Sequence, residues 1–289
     1  MKKVLLQLDT EEHPSPFDAI VAHDAGVDVL LSHSGVKAES ARALAQDAFF
    51  TRGVDDLNTM AVWVGGKDVA TGEEVFAQVQ KAFFGPFRVS VMLDSNGCNT
   101  TAATTIARIA KARSLAGSRA VVIGLGAVGL RSAVLLRNEG CEVTLAAVPP
   151  DLFGDDRPYH RPRGLAVAQG LDLDVREPAD RGELETLLDG AQVVLSAGPA
   201  GVPVLRRDFW AQHPTIELLA DYNAAEPLGI EDTKATDDMA EYDGKLVLGA
   251  LAIGGPKMKV HKTCVRRLFE SNDQVLDTDA VYAVAKELV

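Results

Sequence analysis

The stretch that most constrains this chain is Gly124-Leu125-Gly126-Ala127-Val128-Gly129, which directly follows the apolar run 120–123. The Ala- and Leu-rich stretch 127–139 comes next, and then a second strand-like run at 142–147. Strand, three glycines at this spacing, helix and strand is the order of a dinucleotide-binding βαβ unit. Each glycine has its own reason to be there. The first permits a tight turn, the second lets backbone approach a pyrophosphate, and the third lets helix and strand pack closely. The helix that follows points its free N–H groups at the phosphates. Gly124, Gly126, Ala127, Val128 and Gly129 are therefore the expected dinucleotide contacts.

The rest of the chain repeats the alternation. Runs 4–8, 27–31, 61–64 and 89–93 read as short strands, separated by helical stretches at 17–25, 38–48, 71–83 and 100–112. Strands alternating with helices of this length imply parallel sheets. Within 71–83, Val75, Phe76, Val79 and Phe83 recur at helical spacing and form a core face. The small-residue stretch Ser114-Leu115-Ala116-Gly117-Ser118 marks a domain junction, after which strands at 193–197, 216–220 and 246–249 continue the series. Segment 149–162, with four prolines, is a loop. Gly255-Pro256 opens a helical stretch through Phe269, and 278–288 is a last helix. The expected fold is α/β: two domains with parallel sheets, the second a Rossmann dinucleotide-binding fold.

Composition enters through what it excludes. A formal charge of −12 argues against a nucleic-acid partner, which needs a basic face. No apolar run approaches the roughly 18 residues of a membrane helix. Asp9 and Glu11 come too early for a signal peptide, and Cys98, Cys141 and Cys264 are too scattered for a disulfide framework. A cytoplasmic protein is expected. His13, His23 and His33, each ten apart, fit no metal-ligand spacing, so no metal is expected.

Cofactor type is read at the end of the second strand of the unit. NAD sites usually place an acid there to hold the ribose hydroxyls. Here Leu145-Ala146-Ala147-Val148-Pro149 offers none, which leaves room for the 2′-phosphate of NADP; NAD remains the alternative. Arg157, Arg161 and Arg163 in the following loop can supply positive charge or simply face solvent. Three further loops follow strands, on the edge where ligands sit in open α/β sheets. They are 196–201, with Ala197 and Gly198; Asp221-Tyr222-Asn223; and 249–255, which leads into Lys257 and Lys259.

Several strings together resemble the bacterial NAD(P)-dependent methylene-tetrahydromethanopterin dehydrogenases, distant relatives of the methylene-tetrahydrofolate dehydrogenases. In the first half they are Pro16-Phe17-Asp18 with Asp24 downstream, Thr51-Arg52-Gly53, Phe83-Phe84-Gly85-Pro86-Phe87-Arg88-Val89-Ser90, Met92-Leu93-Asp94-Ser95-Asn96-Gly97 and Asn99-Thr100-Thr101-Ala102-Ala103. In the second half they are Gly129 through Arg131-Ser132-Ala133, Ala220-Asp221-Tyr222-Asn223-Ala224, Pro227-Leu228-Gly229-Ile230 and 249–257. The family's NADP-preferring members carry basic residues directly after the second Rossmann strand; this chain has Ala147-Val148-Pro149-Pro150 there.

The resemblance implies an α/β substrate domain over 1–114, an NAD(P) domain over 115–255, and C-terminal helices over 256–289 that return to the first domain, with the pterin in the cleft. It implies a homo-oligomer, a trimer being one form. The reaction implied is NADP-dependent oxidation of 5,10-methylene-tetrahydromethanopterin to the methenyl form; tetrahydrofolate as the carrier, or a non-catalytic NADP-binding sensor, are the alternatives. Hydride leaves a carbon flanked by two nitrogens whose lone pairs stabilise the cation, so no general base is needed. Asp18, Asp24 and Asp94 can favour that cation or hold pterin N–H groups, or can serve as caps and turn residues. Lys257 is the lysine expected on the pterin, with Lys259 and Lys262 solvated. The expected dinucleotide contacts then extend to Ala197, Gly198, Asn223 and Arg157.

Overall fold

The computed structural model describes residues 1–152, 167 and 170–289. The chain divides into two compact units, Met1–Thr100 with Lys257–Leu288, and Thr101–Pro256 with the last residue, Val289. No helix among the described residues is long and apolar enough to cross a membrane.

In the first unit, strands β1 (Val4–Asp9), β2 (Val29–His33), β3 (Met60–Gly65) and β4 (Ser90–Leu93) alternate with helices α1 (Pro16–Asp24), α2 (Ala38–Phe49) and α3 (Val69–Ala82). Helix α4 (Cys98–Ala112) follows, and the unit boundary at Thr100 falls inside it. A late strand, β12 (Val275–Leu276), pairs with β4, giving the order β12-β4-β3-β1-β2 with every pairing parallel. All residues of β1, β3 and β4 are buried, which is why they read as mostly apolar runs rather than as alternation, with Gln7, Asp9 and Ser90 the buried polar exceptions. Leu6, Leu8, Val62, Val64, Val75, Val79 and Phe49 meet in the core of this unit. The helix starts are written locally. Ser15 caps α1 by accepting from the Asp18 N–H ahead of Pro16, and Asp68 caps α3 by accepting from Ala70 and Thr71. Helix α3 therefore begins two residues before the expected start at 71.

The second unit holds β5 (Arg119–Ile123), α5 (Ala127–Asn138), β6 (Glu142–Ala146), β7 (Asp174–Arg176), α6 (Arg181–Leu187), β8 (Val193–Ser196), α7 (Arg207–Trp210), β9 (Leu218–Asp221), β10 (Asp238–Tyr242) and β11 (Lys245–Leu248). Its sheet runs β10-β11-β9-β8-β5-β6-β7 and is parallel except for the β10–β11 hairpin. The fold is α/β with two parallel-dominated sheets, the second of Rossmann type.

One expectation is overturned. Of the stretch 249–255, expected as a loop, all but Gly249 belongs to α8 (Ala250–Arg267), which runs on through Gly254, Gly255 and Pro256. A proline inside a helix leaves the carbonyl four residues back without its N–H. That carbonyl, on Ala252, accepts instead from Arg108 Nη1 at 3.0 Å. The proline is tolerated because a side chain replaces the missing donor.

Candidate active site

Each sheet has one point where successive connections leave in opposite directions, and at such points loops part to admit a ligand. In the second unit it lies between β5 and β8. The turn after β5 carries Gly124 at φ +125°, in the region only glycine enters easily, and a β-carbon there would stand 2.2 Å from the Ala197 carbonyl oxygen in the loop after β8. Ala197 and Gly198 thus pack directly beside the glycine turn. Gly126 is different: it precedes α5 with φ −75°, and a β-carbon there would meet no described residue within 4 Å. No side chain caps α5. The first-turn N–H groups, from Ala127 to Gly129, have no carbonyl a turn behind them within the helix. A bare, uncapped helix start behind an empty glycine is the cradle a pyrophosphate fills, so these residues fit the expected dinucleotide.

The other expected cofactor contacts divide. Ala147 and Val148, after β6, are buried and apolar, with no acid at that place. Arg157, Arg161 and Arg163 lie outside the described residues. Asn223 sits past the end of β9, where its side chain builds a turn: its Oδ1 accepts from the Ala225 N–H at 3.0 Å and its Nδ2 donates to Pro227 O at 3.4 Å. Asp221 accepts from the N–H groups of Asn223 and Ile230, both at 3.0 Å, and burial raises its pKa against the pull of those donors. The Tyr222 hydroxyl lies 2.6 Å from Ser132 Oγ on α5, and burial pushes it up to about 12. Segment 221–223 thus ties β9 to its own following loop and to α5.

In the first unit the corresponding point lies between β1 and β3, and a cavity of about 490 Å³ opens there. This is within the range that small-molecule sites occupy. Its walls are the loop after β1, the start of α1, the turn after β3, the turn after β4, and Lys257. Phe17, 49% exposed, offers a ring, and Lys257 Nζ stands 5.1 Å from the centre of that ring. The turn after β4 is left-handed at both Asn96 (φ +52°) and Gly97 (φ +62°). A β-carbon on Gly97 would come within 2.8 Å of Lys257 Nζ, so the glycine leaves room for the ammonium.

Of the three expected carboxylates, Asp18 lines this cavity and Asp94 lies just behind it, while Asp24 does neither. Asp24, at the end of α1, faces Lys262 Nζ at 3.5 Å on the surface. Asp94 is buried and accepts from the Thr100 N–H at 3.0 Å and the Thr100 hydroxyl at 2.7 Å, fixing the turn that holds Asn96 and Gly97. Beside it, His261 Nε2 stands 3.6 Å from Asp94 Oδ2, with the imidazole edge-on to Trp63 at 4.8 Å. His261 is 1% exposed, and neither ring nitrogen has a hydrogen-bond partner among the described residues. Burial, above the attraction of Asp94, lowers its pKa to about 4, so it is neutral. Sequence reasoning singled out Lys257 but not the residue one helical turn on. The spacing Lys257, His261, Cys264 on one helix face was the available signal.

Comparison with known proteins places these features in a family. Residues 16–96 match the model described as methylene-tetrahydromethanopterin dehydrogenase, N-terminal. The chain is 42% identical to a protein of Methylorubrum extorquens named bifunctional protein MdtA, over 99% of both chains. It is 30% identical to the NAD(P)-dependent methylenetetrahydromethanopterin dehydrogenase of the same organism, again over 99% of each. Among solved structures, shikimate 5-dehydrogenase from Listeria monocytogenes, in complex with shikimate and NAD, superposes with a TM-score of 0.51 at 12% identity, covering 98% of this chain and 96% of that one. At that identity the likeness speaks for the fold alone.

Proposed function

Because this chain belongs to the family of methylene-tetrahydromethanopterin dehydrogenases, we propose that it oxidises 5,10-methylene-tetrahydromethanopterin to the 5,10-methenyl form by direct hydride transfer, with NADP preferred over NAD. As a member of the family it is an NAD(P)-dependent oxidoreductase. The observation that carries the substrate assignment is the cavity at the first sheet's switch point, where the Phe17 ring, the Lys257 ammonium and the Asp18 carboxyl stand together.

NAD(P), when bound, supplies the electrophilic ring carbon that accepts the hydride. The chain's own residues do the rest by holding and by charge. Gly124, Gly126 and the N–H groups of Ala127, Val128 and Gly129 hold the pyrophosphate, with Ala197 and Gly198 closing the wall beside them. Phe17 offers a face on which the flat pterin stacks. Lys257 donates to a pterin carbonyl or ring nitrogen, and sits away from the reacting carbon, because a positive charge there would oppose the cation. Asp18 and Asp94 favour the cation that forms as hydride leaves. The lack of an acid at the end of β6, where Ala147-Val148-Pro149-Pro150 follow, supports NADP, and the family supports a cytoplasmic homo-oligomer working in one-carbon metabolism.

The test is an assay of the purified protein with both carriers, tetrahydromethanopterin and tetrahydrofolate, against both nicotinamides. The expected result is the highest kcat/KM with methylene-tetrahydromethanopterin and NADP, and transfer of deuterium from a dideuterated methylene group into the reduced nicotinamide. Turnover with the folate carrier alone would reassign the substrate. NADP binding with no turnover on either carrier would leave a sensor and overturn the reading.

A further inference from the structure

Three acids gather at the first unit's cavity, Asp9 and Asp18 in its lining and Asp94 behind it, and they are not equivalent. Asp9, closing β1, accepts from the Glu11 N–H on one oxygen and the Ser15 N–H on the other, both at 2.9 Å. Asp94, after β4, has both oxygens engaged by Thr100. Each of these two carboxylates is committed to the turn it holds. Among the described residues nothing donates to the Asp18 carboxyl, although its backbone N–H caps α1 through Ser15. The carboxyl fits because β3 ends in glycine: a β-carbon on Gly65 would stand 2.9 Å from Asp18 Oδ2. Asp18 is thus the acid of the three left free for whatever enters the cavity.

Its neighbours decide what it wants. The loop after β1 brings Asp9, Glu11, Glu12 and His13; the turn after β3 brings Lys67; Lys257 comes from α8. Asp94 and His261 stand behind, and Glu11 spends Oε1 on the Lys67 and Asp68 N–H groups, at 3.0 and 3.3 Å. His261 is neutral and offsets none of the negative charge. Like charges gathered around one partly buried carboxyl disfavour its ionisation, and Lys257 offsets them only in part. Burial first, then the charges of Asp94 and Asp9, push Asp18 up to about 7 against the pull of Lys257.

We propose that Asp18 is the residue by which the cavity distinguishes the cationic methenyl form from the neutral methylene form, carrying a proton when the ligand is neutral and losing it when the ligand is cationic. This rests on the functional reading above. The step is an acid ionisation: the Asp18 O–H bond breaks, the electron pair stays on the carboxylate, one proton passes to solvent, and the new negative charge faces the bound cation. No electron is transferred in it. Hydride removal creates the cation, so the same ionisation accompanies product formation in the cavity and sets the relative affinities of substrate and product by pH.

The experiment is calorimetric titration of the whole protein with 5,10-methenyl-tetrahydromethanopterin at pH 6, in buffers of different ionisation enthalpy. Close to one proton should be released per cation bound, and close to none at pH 8.5. Its Kd should fall about tenfold per pH unit up to about pH 7 and then level, whereas the Kd of the methylene form should stay flat. Asp18→Asn should bind the cation with no proton release. The Kd profile of the unaltered protein tests the idea even if that variant fails to fold. Proton release that persists in Asp18→Asn, or a flat methenyl profile, would overturn the assignment while leaving the dehydrogenase reading standing. No binding of either carrier would remove both.

Discussion

A β-carbon on residue 129 would stand 2.2 Å from the carbonyl oxygen of Gly124, so the third glycine of the motif exists for the first one's backbone. Gly126 has no such neighbour. The motif therefore contains two glycines the fold requires and one it does not. Gly129→Ala should destabilise the protein by about 1–3 kcal/mol, because backbone must shift. Gly126→Val should leave the melting temperature near that of the parent and abolish NADP binding. Calorimetry with NADP beside a thermal melt checks both, and unchanged affinity in Gly126→Val would remove the dinucleotide assignment.

Lys257 projects from α8 over the Phe17 ring and past Gly97. Removing its ammonium in Lys257→Ala should lower kcat/KM for the pterin by roughly ten- to a hundredfold, the worth of one charged hydrogen bond at about 1.5–3 kcal/mol. The KM for NADP should move little. Steady-state kinetics varying each substrate separate the cases: a change confined to NADP would move this lysine to the cofactor.

The buried imidazole of His261 has a thermodynamic signature. Its folded pKa, about 4, lies below its ordinary 6.5, so between those values the unfolded chain binds more protons. Stability is then fully present above pH 6.5 and lost as pH falls toward 4, by up to about 3 kcal/mol. His261→Phe keeps a ring against Trp63 and should lack this acid limb. Asp18 acts with the opposite sign, losing stability as pH rises from 3.8 to about 7, but it is common to both proteins and cancels in the comparison. Urea unfolding at several pH values measures it, and parallel profiles for parent and variant would contradict the assignment.

The central strands and the glycine turn were legible because burial on both faces makes β1, β3 and β5 continuous apolar runs, and because a strand followed by three spaced glycines has few other uses. The edges were not. β7 and β10 carry polar residues, β12 is only two residues long, and none of the three was expected. Yet Asp243-Gly244, with φ +49° and +76°, is a hairpin signal between β10 and β11 that could have been read. Helix α8 was misjudged at its start because two glycines and a proline look like a loop when the donor that repairs them, Arg108, lies 144 residues away. The site was half visible. Lys257 and Asp18 were named from the sequence, but Phe17 was quoted without a role. The distinction between Asp18 and Asp24 depends on which way one helix end faces, and no spacing encodes that.

β12 has a consequence for how the protein is made. The strand that completes the first sheet, and the helix segment carrying Lys257 and His261, follow the second unit in sequence, so that unit is threaded between them and β4. A ribosome delivers the second unit as one continuous piece, able to fold as it emerges. The first unit must wait, with the β4 edge unpaired and Trp63 and Asp94 uncovered, until the segment after the second unit has been made. A chain stopped before that segment would carry a complete second unit and a first-unit cavity without Lys257.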